Sequence, residues 1–223
     1  MTDPSGRPAP LWIDSALPAE QPLPADVKAD VCVVGAGIAG LSAAYLLARE
    51  GKSVVVLDDG PIGGSESGRT TAHLSYALDD RYYQIENLHG AQGAQLAAAS
   101  HKAAIDCIES IIGREAIECD FERLDGYLFI PPGGSLEELE RERDATRRAG
   151  LGEVDFVGRA PLSNFDTGRC LRFPRQAQFH PRKYLNGLAH PFNATVAAFS
   201  RGRTPIRPTA SLRCVSRLVA GPR

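Results

Sequence analysis

Between Asp30 and Asp59 the chain runs apolar strand, glycine turn, helix, apolar strand, acid, and few folds accept that order. Val31-Cys32-Val33-Val34 leads straight into Gly35-Ala36-Gly37-Ile38-Ala39-Gly40. A helical stretch from Leu41 to Glu50 follows, then Val54-Val55-Val56-Leu57, which ends on Asp58. This is the pattern of a nucleotide-binding βαβ unit. Gly35 permits the tight turn, Gly37 lets the backbone approach a diphosphate, and Gly40 lets helix and strand pack closely. The helix N-terminus offers unpaired N–H groups and positive dipole to phosphate oxygens. Asp58 lies 18 residues after Gly40, where an acceptor for a ribose 2′-hydroxyl is expected. Asp59 follows directly, so either carboxylate is a candidate for that contact. A carboxylate here would repel a 2′-phosphate, so the site suits FAD or NAD better than NADP.

The next residues separate those two dinucleotides. Gly60 to Ala72 is a long Gly/Ser/Thr loop with many N–H and hydroxyl donors and one cation, Arg69. A nicotinamide-binding Rossmann domain normally passes from its second strand to another crossover instead. Here the sequence resembles the glycine/D-amino-acid oxidase (DAO) family of FAD-dependent oxidoreductases. In that family a Gly-Arg-Ser/Thr segment after the second strand lies along the flavin and its phosphates, and Gly68-Arg69-Thr70-Thr71-Ala72 matches it. One branch is more similar still, the bacterial oxidoreductases like γ-glutamylputrescine oxidase, including Rieske-fused forms. The similarity rests on Leu11-Trp12-Ile13-Asp14, Ser67 to Leu74, Asp79-Asp80-Arg81-Tyr82-Tyr83 and Arg175 to Pro181, and spans roughly residues 11 to 190. Many family members carry Glu at the ribose position, where this chain has Asp58 and Asp59.

The resemblance implies an α/β fold: a Rossmann-like FAD/NAD(P)-binding domain of the glutathione-reductase type, with part of an α+β substrate lobe. It implies FAD held by Gly35, Ala36, Gly37, Ile38, Ala39, Gly40, Asp58 or Asp59, Gly68, Arg69, Thr70 and Thr71. It implies an enzyme that oxidises a C–N bond of an amine or amino acid by hydride transfer to flavin. Arg69 would compensate the diphosphate or sit near the flavin, and Thr70 and Thr71 would donate to its oxygens; a surface ion pair and plain turn hydroxyls are the alternatives. His73 follows the loop, but nothing matches the motif by which some relatives attach FAD covalently, and a structural histidine is expected. His180 precedes Pro181 and reads as a cap or turn residue. No catalytic base is identified. An NAD-binding dehydrogenase fragment and a non-catalytic truncated remnant stay open as alternatives.

With 43% hydrophobic residues in 223 and a net charge of −2, one or two folded domains are expected. No apolar run reaches the ~18 residues of a membrane helix, and no signal peptide is visible, so the expected location is cytoplasmic. The five cysteines, Cys32, Cys107, Cys119, Cys170 and Cys214, show no metal-ligand spacing and read as reduced thiols, Cys32 as core. No metal is expected, and a Rieske cluster would need Cys/His pairs that are not present. The expected partner is a small amine or amino acid, with no nucleic acid and no membrane; the oligomeric state is open.

Four segments are expected: an N-terminal arm, 1–29; the FAD-binding βαβ unit and flavin loop, 30–80; a helical segment and partial substrate lobe, 81–190; and an aberrant basic tail, 191–223. Tyr82 to about Gly113 reads as one or two helices with a packing stripe at Leu96, Ala99, Ala103, Ile108, Ile111 and Ile112. Phe121 to Ile130 reads as a strand pair or one bent strand. Ser135 and Glu138 form a capping box opening a helix that Gly150 closes. Cys170 to Phe173 reads as a short strand, and a helix starts at Pro181. After Asp166 no acidic residue follows, while ten Arg and one Lys do. That is not taken as a nucleic-acid arm, because Arg172, Arg175 and Arg182 belong to the family-like part. From Pro191 periodicity lapses. Codon degeneracy permits a shifted frame over 191–207 encoding a Gly-Gly turn and the strand the resemblance implies, so the tail is read as out of frame and the chain as a truncated amino-terminal half.

Overall fold

The computed structural model describes residues 12, 17, 21–22, 27–64, 66–131, 133–189 and 195–198. In chain order the elements are β1 (Gln21–Pro22), β2 (Val31–Val34), α1 (Ile38–Arg49), β3 (Val54–Asp58) and β4 (His73–Leu74). Then come α2 (Tyr82–Glu115), β5 (Glu122–Leu128), α3 (Leu136–Arg148), β6 (Asp155–Val157), β7 (Cys170–Gln178), α4 (Pro181–Ala189) and β8 (Thr195–Ala198). Two sheets result. One is parallel, ordered β1-β8-β3-β2. The other is antiparallel around β7, with β5 on one edge and β4 and β6 at opposite ends of the other.

The parallel sheet follows from the apolar runs. β3 lies between β2 and β8 and is buried from Val54 to Leu57, as a strand covered on both faces must be. Val54 and Val56 enter a core shared with Leu41, Ala44 and Tyr45 of α1 and Tyr184, Leu185 and Leu188 of α4. In α1 those positions fall at i, i+3 and i+4, the stripe an amphipathic helix buries. Each fully buried leucine contributes about 1.5–3 kcal/mol. The Ser42 and Tyr184 hydroxyls, 2.9 Å apart, join α1 to α4. Gly51 takes a φ of +78° and stops α1, as its place after the helix predicts.

Cys32 does not join this core. β2 alternates, with Val31 and Val33 packed inward while Cys32 is exposed and Val34 is 84% exposed. Among the described residues, no second layer covers its outer face. The tail also departs from expectation: Thr195–Ala198 forms a strand, and its backbone pairs in parallel with Val55–Asp58. Backbone hydrogen bonding to the flank of β3 supplies what side-chain periodicity does not announce. The rest of 191–223 and most of the arm lie outside the described residues.

A second core joins α2, α3 and β7. α2 bends at Gly90, whose φ of 72° interrupts the helix, so the two-helix reading of this region holds. Its buried stripe is Ala94, Ala98, Ile105, Ile108 and Ile111. Leu96 is 65% exposed, and Ala99 and Ala103 are exposed too, so the expected stripe is corrected by about half a turn in its first part. Alanines fill both faces there, and hydrophobicity alone does not set the phase. Ser135 caps α3, accepting from Glu138 N–H. Glu142 of α3, only 1% exposed, accepts from the Tyr83 N–H at 3.3 Å and so places a carboxylate at the N-terminus of α2. Burial raises its pKa, with the Tyr82 and Tyr83 N–H groups opposing.

β5 is one bent strand, its register shifting between Leu124 and Gly126. β7 runs past Phe173 to Gln178 where a stop was expected. Pro174 lacks an N–H for the ladder, and Arg175 has a φ of 57°, so the strand carries this pair as an irregularity opposite the shift in β5.

Candidate functional site

The glycine turn behaves as three separate constraints. Gly35 has a φ of +104°, and its N–H donates to Leu57 O at 2.7 Å, locking the end of β2 to the end of β3. Nothing lies within 4 Å of a Cβ placed on Gly35, so backbone conformation and not space demands glycine there. Gly40 is the reverse case: a Cβ would sit 1.9 Å from Gly35 O and 3.4 Å from Val33 Cγ1. The helix rests directly on the turn. A Cβ on Gly37 would come within 2.7 Å of Ser67 Oγ, so the space over the turn is bounded by the following loop.

Above the turn the first bond of the α1 ladder runs from Leu41 N–H to Gly37 O at 2.9 Å. The N–H groups of Ile38, Ala39 and Gly40 precede it and face outward from the helix end. No acidic residue occupies the first turn, and Gly37 provides no side-chain cap. Ser67 Oγ accepts from Ile38 N–H at 3.1 Å in its place. Ser67 was not among the residues expected at the site from sequence. Its signal was a hydroxyl in a loop full of hydroxyls, distinguishable only once the loop folds back over the helix.

Asp58 and Asp59 separate clearly. Asp58, half-buried at the end of β3, accepts from Ala36 N–H at 2.5 Å through Oδ2 and from Gly60 N–H at 2.9 Å through Oδ1. A carboxylate has about four acceptor positions, so two remain for ligand hydroxyls. Asp59, by contrast, is exposed.

The loop after β3 is held close to the turn. Gly63, with a φ of +62°, donates to Ala36 O at 3.1 Å, and a Cβ on Gly68 would lie 2.3 Å from Gly63 O. Glu66–Gly68 forms a 3-10 turn closed by Arg69 N–H donating to Glu66 O at 3.0 Å. The Arg69 and Thr71 side chains are exposed. Thr70 Oγ1 accepts from Ala72 N–H at 3.3 Å, a local turn bond. His73 pairs through its backbone with Gln178 and is exposed. At the far side His180 Nδ1 accepts from Lys183 N–H at 3.3 Å and caps α4, as its position before Pro181 predicts. Burial and then the Lys183 charge lower its pKa, while Asp120 opposes them. Among the described residues no group of three or more His, Cys, Asp and Glu could hold a metal ion, and no helix is long and apolar enough to cross a membrane.

The family model described as FAD dependent oxidoreductase (DAO) matches residues 30–204, well over half of the chain. The chain belongs to this family. The match extends past the roughly residue 190 at which the resemblance was expected to end and takes in β8. The γ-glutamylputrescine oxidoreductase of Escherichia coli K12 is 32% identical over 176 residues, covering 76% of this chain and 38% of that protein. YhfW of Bacillus subtilis, described as a Rieske 2Fe-2S iron–sulfur protein, is 29% identical over 182 residues, covering 81% and 35%. The chain therefore spans little more than a third of the length of these curated relatives. Among solved structures, L-amino acid deaminase from Proteus myxofaciens in complex with anthranilate superposes with a TM-score of 0.64 at 13% identity, covering 83% of this chain and 41% of that one. Glycine oxidase from Geobacillus kaustophilus gives 0.57 at 19% identity, covering 77% and 46%. These likenesses carry the fold. The DAO family is FAD dependent, and the α/β architecture expected from the sequence is the one observed.

The described residues fit that cofactor. Its diphosphate needs N–H donors at a helix start, and α1 offers those of Ala39 and Gly40 there, beside the Ile38 N–H that Ser67 Oγ accepts. Its ribose needs an acceptor at the end of β3, and Asp58 retains two.

Proposed function

We propose that the chain binds the adenosine diphosphate portion of FAD across the Gly35–Gly40 turn and serves an oxidoreductase that acts on a C–N bond of an amine or amino acid. The observation carrying the proposal is the Asp58–Ala36 hydrogen bond, which ties the ribose acceptor to the phosphate turn at 2.5 Å. The N–H groups at the start of α1 bind the diphosphate, and Gly35 and Gly40 hold those groups in place. Asp58 orients the ribose, in preference to Asp59. Gly68, Arg69, Thr70 and Thr71 follow along the dinucleotide, joined by Ser67 at the helix end. The flavin, when bound, supplies the hydride acceptor. The amine or amino-acid class is supported by the likeness to γ-glutamylputrescine oxidoreductase and glycine oxidase. Residues 30–80 as the cofactor unit and 81–190 as part of a substrate lobe remain the proposed division.

The test is calorimetry on the purified 223-residue chain with FAD, ADP and NAD, together with its visible spectrum. FAD and ADP are expected to compete for one site, with a bound flavin band in the blue. A folded chain that takes neither ligand refutes the proposal. Tighter binding of NAD than of FAD would instead favour the dehydrogenase reading.

A further inference from the structure

The proposed site leaves one contact unexplained. The Trp12 indole N–H donates to Gly68 O at 3.0 Å, across 56 residues of chain, and its ring meets the His180 ring edge-on with centroids 6.0 Å apart. Five residues on, Leu17 packs against the α1/α4 core, its Cδ1 3.9 Å from where a Cβ on Gly63 would stand. Trp12 and Leu17 thus meet both ends of the segment from Gly63 to Gly68. The two ends of that segment pack closely, since a Cβ on Gly68 would lie 2.3 Å from Gly63 O. Its last side chain before Gly68 is Ser67, whose Oγ sits on Ile38 N–H at the phosphate-facing end of α1.

We infer that Trp12 is a positioning residue for the dinucleotide: by holding the Gly68 carbonyl it fixes Ser67 over the helix end and sets the path of Arg69. The inference rests on the proposed FAD site. Trp12 touches neither the turn nor Asp58 in any described bond, so its effect passes through the loop. The indole joins two properties needed for this: an apolar body that packs on His180 and an N–H that must find an acceptor.

The chain contains a single tryptophan, so its emission reports this contact alone. ADP does not absorb where indole emits, and on wild-type protein saturating ADP is expected to shift the Trp12 emission maximum as the diphosphate engages the helix end beside Ser67 and alters the surroundings of the Gly68 carbonyl. Trp12→Phe keeps a ring against His180 and removes the donor. Its affinity for FAD is expected to fall roughly three- to tenfold, the worth of one hydrogen bond. Two results overturn the inference: unchanged Trp12 emission although calorimetry shows ADP bound, or wild-type FAD affinity in a folded Trp12→Phe variant. If Trp12→Phe does not fold, the wild-type emission experiment decides alone. Failure of wild-type protein to bind FAD or ADP at all refutes the underlying site instead, so the two failures are distinguishable.

Discussion

Replacing Asp58 by alanine tests the site most directly, because the carboxylate has one role in the fold and another, proposed above, toward the cofactor. In the fold it accepts two N–H groups, from Ala36 at 2.5 Å and from Gly60 at 2.9 Å. Hydrogen bonds to a charged acceptor are worth about 1.5–3 kcal/mol when the donor has no substitute. Gly60 lies two residues away in a partly exposed turn and can turn to water, so its loss counts for little. Ala36 is fully buried, so its N–H is the bond that matters, and Asp58→Ala is expected to destabilise the chain by about 1.5–3 kcal/mol in urea unfolding followed by circular dichroism. Toward FAD the lost ribose acceptor has similar worth, a weakening of about ten- to a hundredfold measured at a temperature where the variant is folded. Asp59→Ala, at an exposed position, is expected to leave FAD affinity unaltered. Asp58→Asn keeps the shape but turns one donor toward an N–H group, and should fall between wild type and alanine. The reasoning is refuted if Asp59→Ala weakens FAD as much as Asp58→Ala, or if Asp58→Ala binds FAD normally.

Two further substitutions probe the scaffold. Gly40→Ala places a Cβ 1.9 Å from the Gly35 carbonyl, and backbone cannot swing aside as a side chain would. It is expected to cost about 3 kcal/mol and to abolish ADP binding, whereas Gly113→Ala, in α2 with nothing within 4 Å, should stabilise by about 0.5–1 kcal/mol; equal effects in a paired denaturation series would contradict the packing argument. His180 has a folded pKa below its unfolded value near 6.5, so the folded state binds fewer protons across that window and the stability it contributes is lost as pH falls. His180→Asn keeps an acceptor for Lys183 N–H without titrating, and its stability relative to wild type should rise between pH 7.5 and pH 5; a constant difference would mean that the cap does not titrate.

The glycine turn was legible because its constraints are local and each glycine answers to a different one. A positive φ at Gly35 and a backbone collision at Gly40 lie within six residues, so spacing alone carries them. The choice between Asp58 and Asp59 was not legible: strand alternation would place either side chain at the end of β3, and only the Ala36 N–H selects the first. Ser67 was hidden for a related reason. Its role depends on a chain reversal from Gly60 onward, which Gly63 and Gly68 make possible by close packing that no periodicity encodes.

The miscast residues share one cause, that an apolar side chain records a tendency to be covered but not what covers it. Cys32 reads as core because β2 is apolar on both faces, yet among the described residues only the Val31 and Val33 face meets α1 and its neighbours. In α2 the alanines let two adjacent stripes compete, and contact with α3 and β7 selects Ala94 and Ala98 over Leu96 and Ala99. Thr195–Ala198 is the converse case. Its place in the sheet depends on the free backbone flank of β3, so the element is specified by its partner more than by its own pattern. Local geometry fixes the glycine turn, and layers fix everything packed around it. A sequence reading of this fold is therefore strongest at that turn and weakens with distance from it.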